Sequence, residues 1–174
     1  MQIPGDNKAS LPKQLIAFIK ELYGMCKHKG NPIVAMAFSR GARWLEQLVR
    51  ENSHYLEVAI IIGGYPVSKD KVENKSHAKQ LVNVKSTIVC MVHFIQDFHC
   101  NPLIYPAWYA EFIRASHPMV RAKERITNFE NFMLQGNHDD AKNLWHNWDF
   151  DKYDDELNIW FETMWKILES SQNP

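Results

Sequence analysis

No stretch of this chain reaches the roughly 18 uninterrupted apolar residues that a membrane-crossing helix needs, and Met1 to Ser10 holds no apolar core of the kind a secretory leader carries. The chain therefore reads as soluble, with no membrane span. Cysteine is scarce and odd in number: Cys26, Cys90 and Cys100 lie far apart, without metal-like spacing, and three thiols cannot close a complete disulfide framework. That usage favours a reducing, cytoplasmic setting. Net charge is lacking too, because 20 lysine and arginine residues balance 20 aspartate and glutamate residues. No overall field draws the protein toward nucleic acid or an anionic surface. Internal repeats and low-complexity tracts are also missing, which sets aside solenoids and disordered linkers.

What is present is core-forming material. The chain has 174 residues, 45% of them hydrophobic, with six Trp and nine Phe. That length suits one domain, read here as 10–174 behind a polar lead at 1–9. Charge is uneven along it: residues 1–50 lean basic, and Asp139, Asp140, Asp149, Asp151, Asp154, Asp155 and Glu156 form an acidic stretch that reads as a solvated face.

Periodicity places the elements. Leu11, Leu15, Phe18, Ile19, Leu22 and Cys26 follow helical spacing from a Ser10 cap to Gly30. Ile33 to Phe38 is a short continuous apolar run, as in a strand covered on both faces. Gly41 to Asn52 returns to helical spacing, and Val58 to Ile62, closed by Gly63-Gly64, is a second buried strand. Residues 66–85 read as a polar surface excursion before a third run, Thr87 to Val92. A helix is expected over Ile104 to Ser116 with Trp108, Phe112 and Ile113 inward, a fourth strand over Phe129 to Leu134, and a last helix carrying Leu157, Trp160, Phe161, Met164, Trp165 and Leu168 on one stripe. Alternating strands and helices imply an α/β fold: a mostly parallel sheet with helices on both faces.

Open parallel sheets bind ligands beyond the carboxyl ends of their strands, so the residues just after each apolar run come first as candidates. Ser39 follows the first run inside Ala37-Phe38-Ser39-Arg40-Gly41, Asp97 follows the third, and His138 follows the fourth inside Gly136-Asn137-His138-Asp139. The first string is similar to the nucleophile elbow G-x-S-x-G, a strand-to-helix turn in which small residues flank a strained serine, here with Ala in the leading position. At a helix N-terminus the Arg40 backbone N–H can face an oxyanion.

On these residues the chain resembles the C-terminal half of the α/β-hydrolase family, over roughly residues 10 to 170. The order Ser, Asp, His agrees, and Val92 to Pro102 is similar to the family's acid-bearing strand and loop, with Phe94 in place of the usual glycine. The resemblance implies a shortened hydrolase fold and a carboxylesterase-like activity on a small ester or acyl substrate, with no cofactor and no metal. Ser39 would be the nucleophile, His138 the general base and acid, and Asp97 the group that orients the imidazole. A complete member carries further strands and an oxyanion loop before the elbow, so the same resemblance allows a catalytically inactive interaction subunit. A partner chain or oligomer would then cover an exposed edge beside the first strand.

Two other chemistries compete. His93, His99 and Cys100 near Asp97 are metal-ligand types. Asp97-Phe98-His99 and Gly136-Asn137-His138-Asp139 match fragments of a binuclear metallophosphoesterase, but residues 100–138 contain no aspartate to bridge two metals. Trp108, Tyr109, Trp145 and Trp148 could line an acyl pocket, though such residues more often pack a core.

Overall fold

A computed structural model of the chain describes residues 13–66, 68, 70–97, 104–134 and 162. Its framework grows from the apolar runs. Val34–Phe38 (β1), Val58–Ile62 (β2), Ile88–Phe94 (β3) and Phe129–Leu134 (β4) form one sheet in the order β1-β2-β3-β4. Every adjacent pair is parallel, in the registers Val34 to Val58, Val58 to Ile88 and Val89 to Phe129. Parallel neighbours need crossover connections, and helices supply them. Lys13–Lys27 (α1) precedes β1, Arg40–Asn52 (α2) joins β1 to β2, Lys71–Val82 (α3) joins β2 to β3, and Pro106–Ser116 (α4) with Pro118–Glu124 (α5) leads to β4.

Strands taken in chain order with right-handed crossovers put every connecting helix on one face. The packing agrees: Leu48 and Val49 of α2, Leu81 and Val82 of α3, and Trp108 and Phe112 of α4 cluster with Ala59, Ile61, Val89, Met91 and Phe129 of the sheet. Ile19 brings α1 into the same layer. The alternate residues Val58, Ile60, Ile62, Ile88, Cys90, Val92 and Phe94 form a second apolar cluster on the opposite face. β2 and β3 are buried at every position, which is why they read as unbroken apolar runs instead of alternating ones.

The α/β architecture with a parallel sheet is therefore as expected. The last helix expected, with its stripe from Leu157 to Leu168, lies outside the described residues, and the described helices share a single face. Three local readings need correction. The polar excursion at 66–85 contains α3, whose first turn is capped by Asp70 Oδ1 accepting from Val72 N and Glu73 N, both at 2.8 Å. That helix turns only Asn74, Ala78, Leu81 and Val82 inward, so its apolar stripe is too thin to stand out. Ile113 is 55% exposed, not inward. A short helix, α5, follows α4 where none was expected.

Two charged-type residues are fully buried in the helix layer. Glu46, on α2, is 0% exposed, and neither oxygen accepts a hydrogen bond of good geometry among the described residues, the Trp108 indole N–H being near but poorly aligned. Burial raises its pKa to about 7, while the Arg50 and Arg43 charges and the Trp108 indole N–H offset part of the cost. Arg50 Nε stands 3.9 Å from Glu46 Oε1. His93, near the carboxyl end of β3, lies against Trp108, Tyr109 and Phe112 at ring-centroid distances of 5.6, 5.0 and 5.9 Å. Neither of its nitrogens has a hydrogen-bond partner among the described residues, and burial alone lowers its pKa to about 3.

The two shifts act on stability in opposite directions. His93 has a folded pKa below its ordinary value, so its contribution is complete above about 6.5 and lost as pH falls toward 3. Glu46 has a raised folded pKa, so its contribution is complete below about 4.5 and lost as pH climbs through 7. Urea midpoints measured from pH 4 to 8 should fall at both ends. His93→Phe should flatten the acid limb and Glu46→Gln the alkaline one, by an amount on the order of 3 kcal/mol at pH 8 for Glu46. Unchanged slopes in both variants would contradict this account of the core.

Candidate active site

The chain leaves β1 at Phe38 and enters α2 at Arg40 with a single residue between them. That residue, Ser39, has φ 55° and ψ −118°, a conformation an L-residue adopts only at a cost. Two hydrogen bonds hold it there: Ser39 N donates to Ile62 O at 2.9 Å, and Ala42 N donates to Ser39 O at 3.0 Å. The first ties the turn to the end of β2 and the second starts the helix. Ser39 is half-buried, and Arg40, whose amide opens the first turn of α2, is exposed.

Small residues permit the turn. A methyl added at Gly41 would meet Ala37 Cβ at 3.6 Å, ordinary contact, so the pair leaves room for one more carbon. The restriction at Gly41 is thus milder than the motif alone suggests. The tighter position is one that the sequence reading used only as a strand terminator. Gly63, directly after β2, has φ +57°, and a Cβ there would stand 3.4 Å from the Phe38 ring and 3.9 Å from Asp97 Oδ2.

Gly63 therefore shows where Asp97 lies. The carboxylate, 1% exposed, sits beside the segment whose preceding residue bonds the Ser39 amide. Gly63 N in turn donates to Val92 O at 2.9 Å, and Asp97 N to Phe94 O at 3.2 Å, so the ends of β1, β2 and β3 are laced into one rim. Ser39 and Asp97 stand on that rim, as expected from their places after the first and third runs. His138 lies outside the described residues. So do His99 and Cys100, and no group of three potential metal ligands gathers among the described residues. His93 belongs to the aromatic core beneath α4.

Sequence reasoning also passed over Arg43 and Tyr65. The Arg43 guanidinium stands 4.9 Å from the centre of the Tyr65 ring, and its Nη1 donates to Tyr65 Oη at 3.4 Å. This stack fixes the loop after Gly63-Gly64 against the first turns of α2. A Gly-Gly-aromatic string after a buried strand was the available signal. Of the aromatic residues considered for a pocket, Trp108 is buried in the core and Tyr109 half-buried beside His93, so both serve packing; Trp145 and Trp148 lie outside the described residues.

Gly63→Ala tests the rim. The positive φ and the 3.4 Å approach to Phe38 should together cost about 1 to 2 kcal/mol of stability. Chemical denaturation against wild type measures this, and a neutral variant would mean that the loop after β2 relaxes freely.

No family model and no curated protein matches the chain. Among solved structures it is similar to an alpha/beta hydrolase enzyme from the metagenome of sediments from the lagoon of Mar Chica, Morocco, at 16% identity and a TM-score of 0.50, over 89% of this chain and 73% of that one. At that identity the likeness is one of fold: a shortened α/β-hydrolase-like architecture.

Proposed function

We propose that the protein is a serine hydrolase that cleaves a carboxylic ester or thioester through an acyl-enzyme, without a cofactor. The observation that carries this reading is the backbone of Ser39, a non-glycine residue held at φ 55° between a parallel strand and a helix N-terminus. Strain of this kind persists where surrounding structure enforces it, and it is most often found at sites of function. In a turn of this kind the hydroxyl would stand off the sheet end with the Arg40 amide beside it.

In this mechanism Ser39 Oγ attacks the substrate carbonyl carbon while the His138 imidazole takes the hydroxyl proton. Negative charge on the carbonyl oxygen is met by the Arg40 N–H. Collapse breaks the C–O or C–S bond, and the leaving group takes the proton from His138. Water then repeats the sequence at the acyl carbon and frees Ser39. Asp97 orients the imidazole and stabilises its charged form.

A second reading is favoured by one specific feature. β1 pairs only with β2 among the described residues, so the sheet ends at the strand that carries Ser39, on the side where a second oxyanion donor would be supplied. On this reading the chain is an inactive hydrolase fold whose β1 edge binds a partner.

Intact-protein mass spectrometry after treatment with a fluorophosphonate probe separates the two. The active reading expects one covalent adduct, mapped to Ser39 and lost in Ser39→Ala, with hydrolysis of short acyl esters falling at least roughly 10³-fold in Ser39→Ala and in His138→Ala. Hydrolysis that survives Ser39→Ala would remove Ser39 from the role, and a folded protein that neither labels nor turns over esters would leave the partner-binding reading in place.

A further inference from the structure

Arg43 has two neighbours that compete for it. Its guanidinium lies over the Tyr65 ring, 4.9 Å from the centre, and Nη1 donates to Tyr65 Oη at 3.4 Å. Three residues further along α2 stands Glu46, on the same side of the helix, and the Arg43 charge is among those that act on its carboxyl. One neighbour belongs to the loop at the strand ends; the other is fully buried in the helix layer.

The loop that carries Tyr65 is built tight against α2. A Cβ at Gly64 would stand 3.0 Å from Ile61 Cγ2 and 3.8 Å from Ala42 Cβ, so the backbone there runs hard against the first turn of the helix. Gly63, one residue earlier, borders Phe38 and the Asp97 carboxylate. The backbone bonds at Ser39 and Gly63 hold the start of the loop and do not titrate. Beyond them the Arg43 stack holds Tyr65, so the place of the guanidinium decides whether this side chain stays pinned to α2.

The two neighbours are not equal. A cation over an aromatic face at a partly exposed site contributes about 0.5 to 1 kcal/mol, whereas a buried carboxylate left without its partner costs about 3 to 5 kcal/mol. While Glu46 is protonated it makes little demand, and Arg43 stays on the ring. Once ionised, it needs more than Arg50 Nε supplies from 3.9 Å. The other elements around it offer no spare cation. On α3, His77 faces Glu73 at 3.8 Å and is held below its ordinary pKa by burial and by the Arg50 charge. On α4, Trp108 is uncharged, and Glu111 already engages Arg114 at 2.9 Å and Lys75 of α3 at 3.6 Å. From β3, His93 meets Trp108 and is neutral near pH 7. Among the described residues Arg43 is therefore the second cation that Glu46 can draw on.

We propose that Arg43 is a positioning residue shared between the Tyr65 ring and the Glu46 carboxyl, and that its transfer from the first to the second on ionisation of Glu46 loosens the loop after β2. The transfer needs only these side chains; its effect on turnover rests on the hydrolase reading. The loop is held on the acid side of neutrality and released on the alkaline side.

Proton–carbon correlation spectra of the full chain read the stack directly, with the Tyr65 ring signals identified by their loss in Tyr65→Phe. Those signals should move with a midpoint of about 7. They should stay fixed in Glu46→Gln and in Arg43→Gln, and still move in His77→Gln. Ring signals that stand still in wild type from roughly pH 5.5 to 8.5, that titrate in Glu46→Gln, or that stop titrating in His77→Gln overturn the proposal. Ester turnover by the same proteins reads the consequence: kcat/KM should fall at least roughly threefold from about pH 7 to about pH 9 in wild type and not in Glu46→Gln. A titrating ring without that alkaline fall removes Arg43 from the positioning role. A titrating ring in a protein that turns over no ester rejects the hydrolase reading alone, and turnover with a fixed ring rejects the shared Arg43 alone.

Discussion

Everything on the rim depends on the hydrogen bond from Ser39 N to Ile62 O. It fixes a backbone that would otherwise relax out of the positive-φ half of conformational space, and it does so from the neighbouring strand, so the turn cannot move without moving β2. The continuation of β2 is Gly63, whose amide is held by Val92 O and whose missing side chain leaves space for Phe38 and the Asp97 carboxylate. Strand ends that would be independent loops are thereby joined. A hydroxyl and a carboxylate that lie far apart in sequence come to stand along one continuous backbone seam.

The parts of this arrangement that were legible in the amino-acid order share a physical cause. β1, β2 and β3 are covered on one or both faces, so their residues are selected for apolar bulk at almost every position and stand out as runs. The tight turn at Ser39 was legible because an apolar run stops there at a polar residue and helical spacing resumes at once. Asp97 was singled out from its position after a strand, and its carboxylate lies beside Gly63 at the strand ends. α3 was missed because its buried stripe is thin and includes Asn74, although Asp70 with Glu73 three residues on spelled a helix start. Ile113 was misplaced for a related reason: helical spacing identifies a stripe but not its width, and the inward face of α4 takes Trp108, Phe112 and Ala115 while Ile113 stays outside it. The role of Gly63 is tertiary, set by two residues distant in the chain, and no local pattern encodes it.

The buried Glu46 and His93 are departures from an otherwise apolar core. Each is held uncharged by its surroundings under conditions where water would ionise it, and neither is compensated by a strong hydrogen bond. Both contact Trp108 or its neighbourhood, so the centre of the helix layer is also where the fold responds most to proton concentration. The rim is held by backbone hydrogen bonds, which do not titrate, although two of them accept at Val92 and Phe94 on either side of His93.

The strict sequential order of the four strands has one more consequence. Crevices in open parallel sheets form where successive crossovers leave in opposite directions, and a run of strands added always on the same side contains no such place. Among the described residues, no such switch point falls between β1 and β4. The position where a groove can open is beyond β1, next to Ser39, and its far bank must be built by whatever polypeptide lies against that strand.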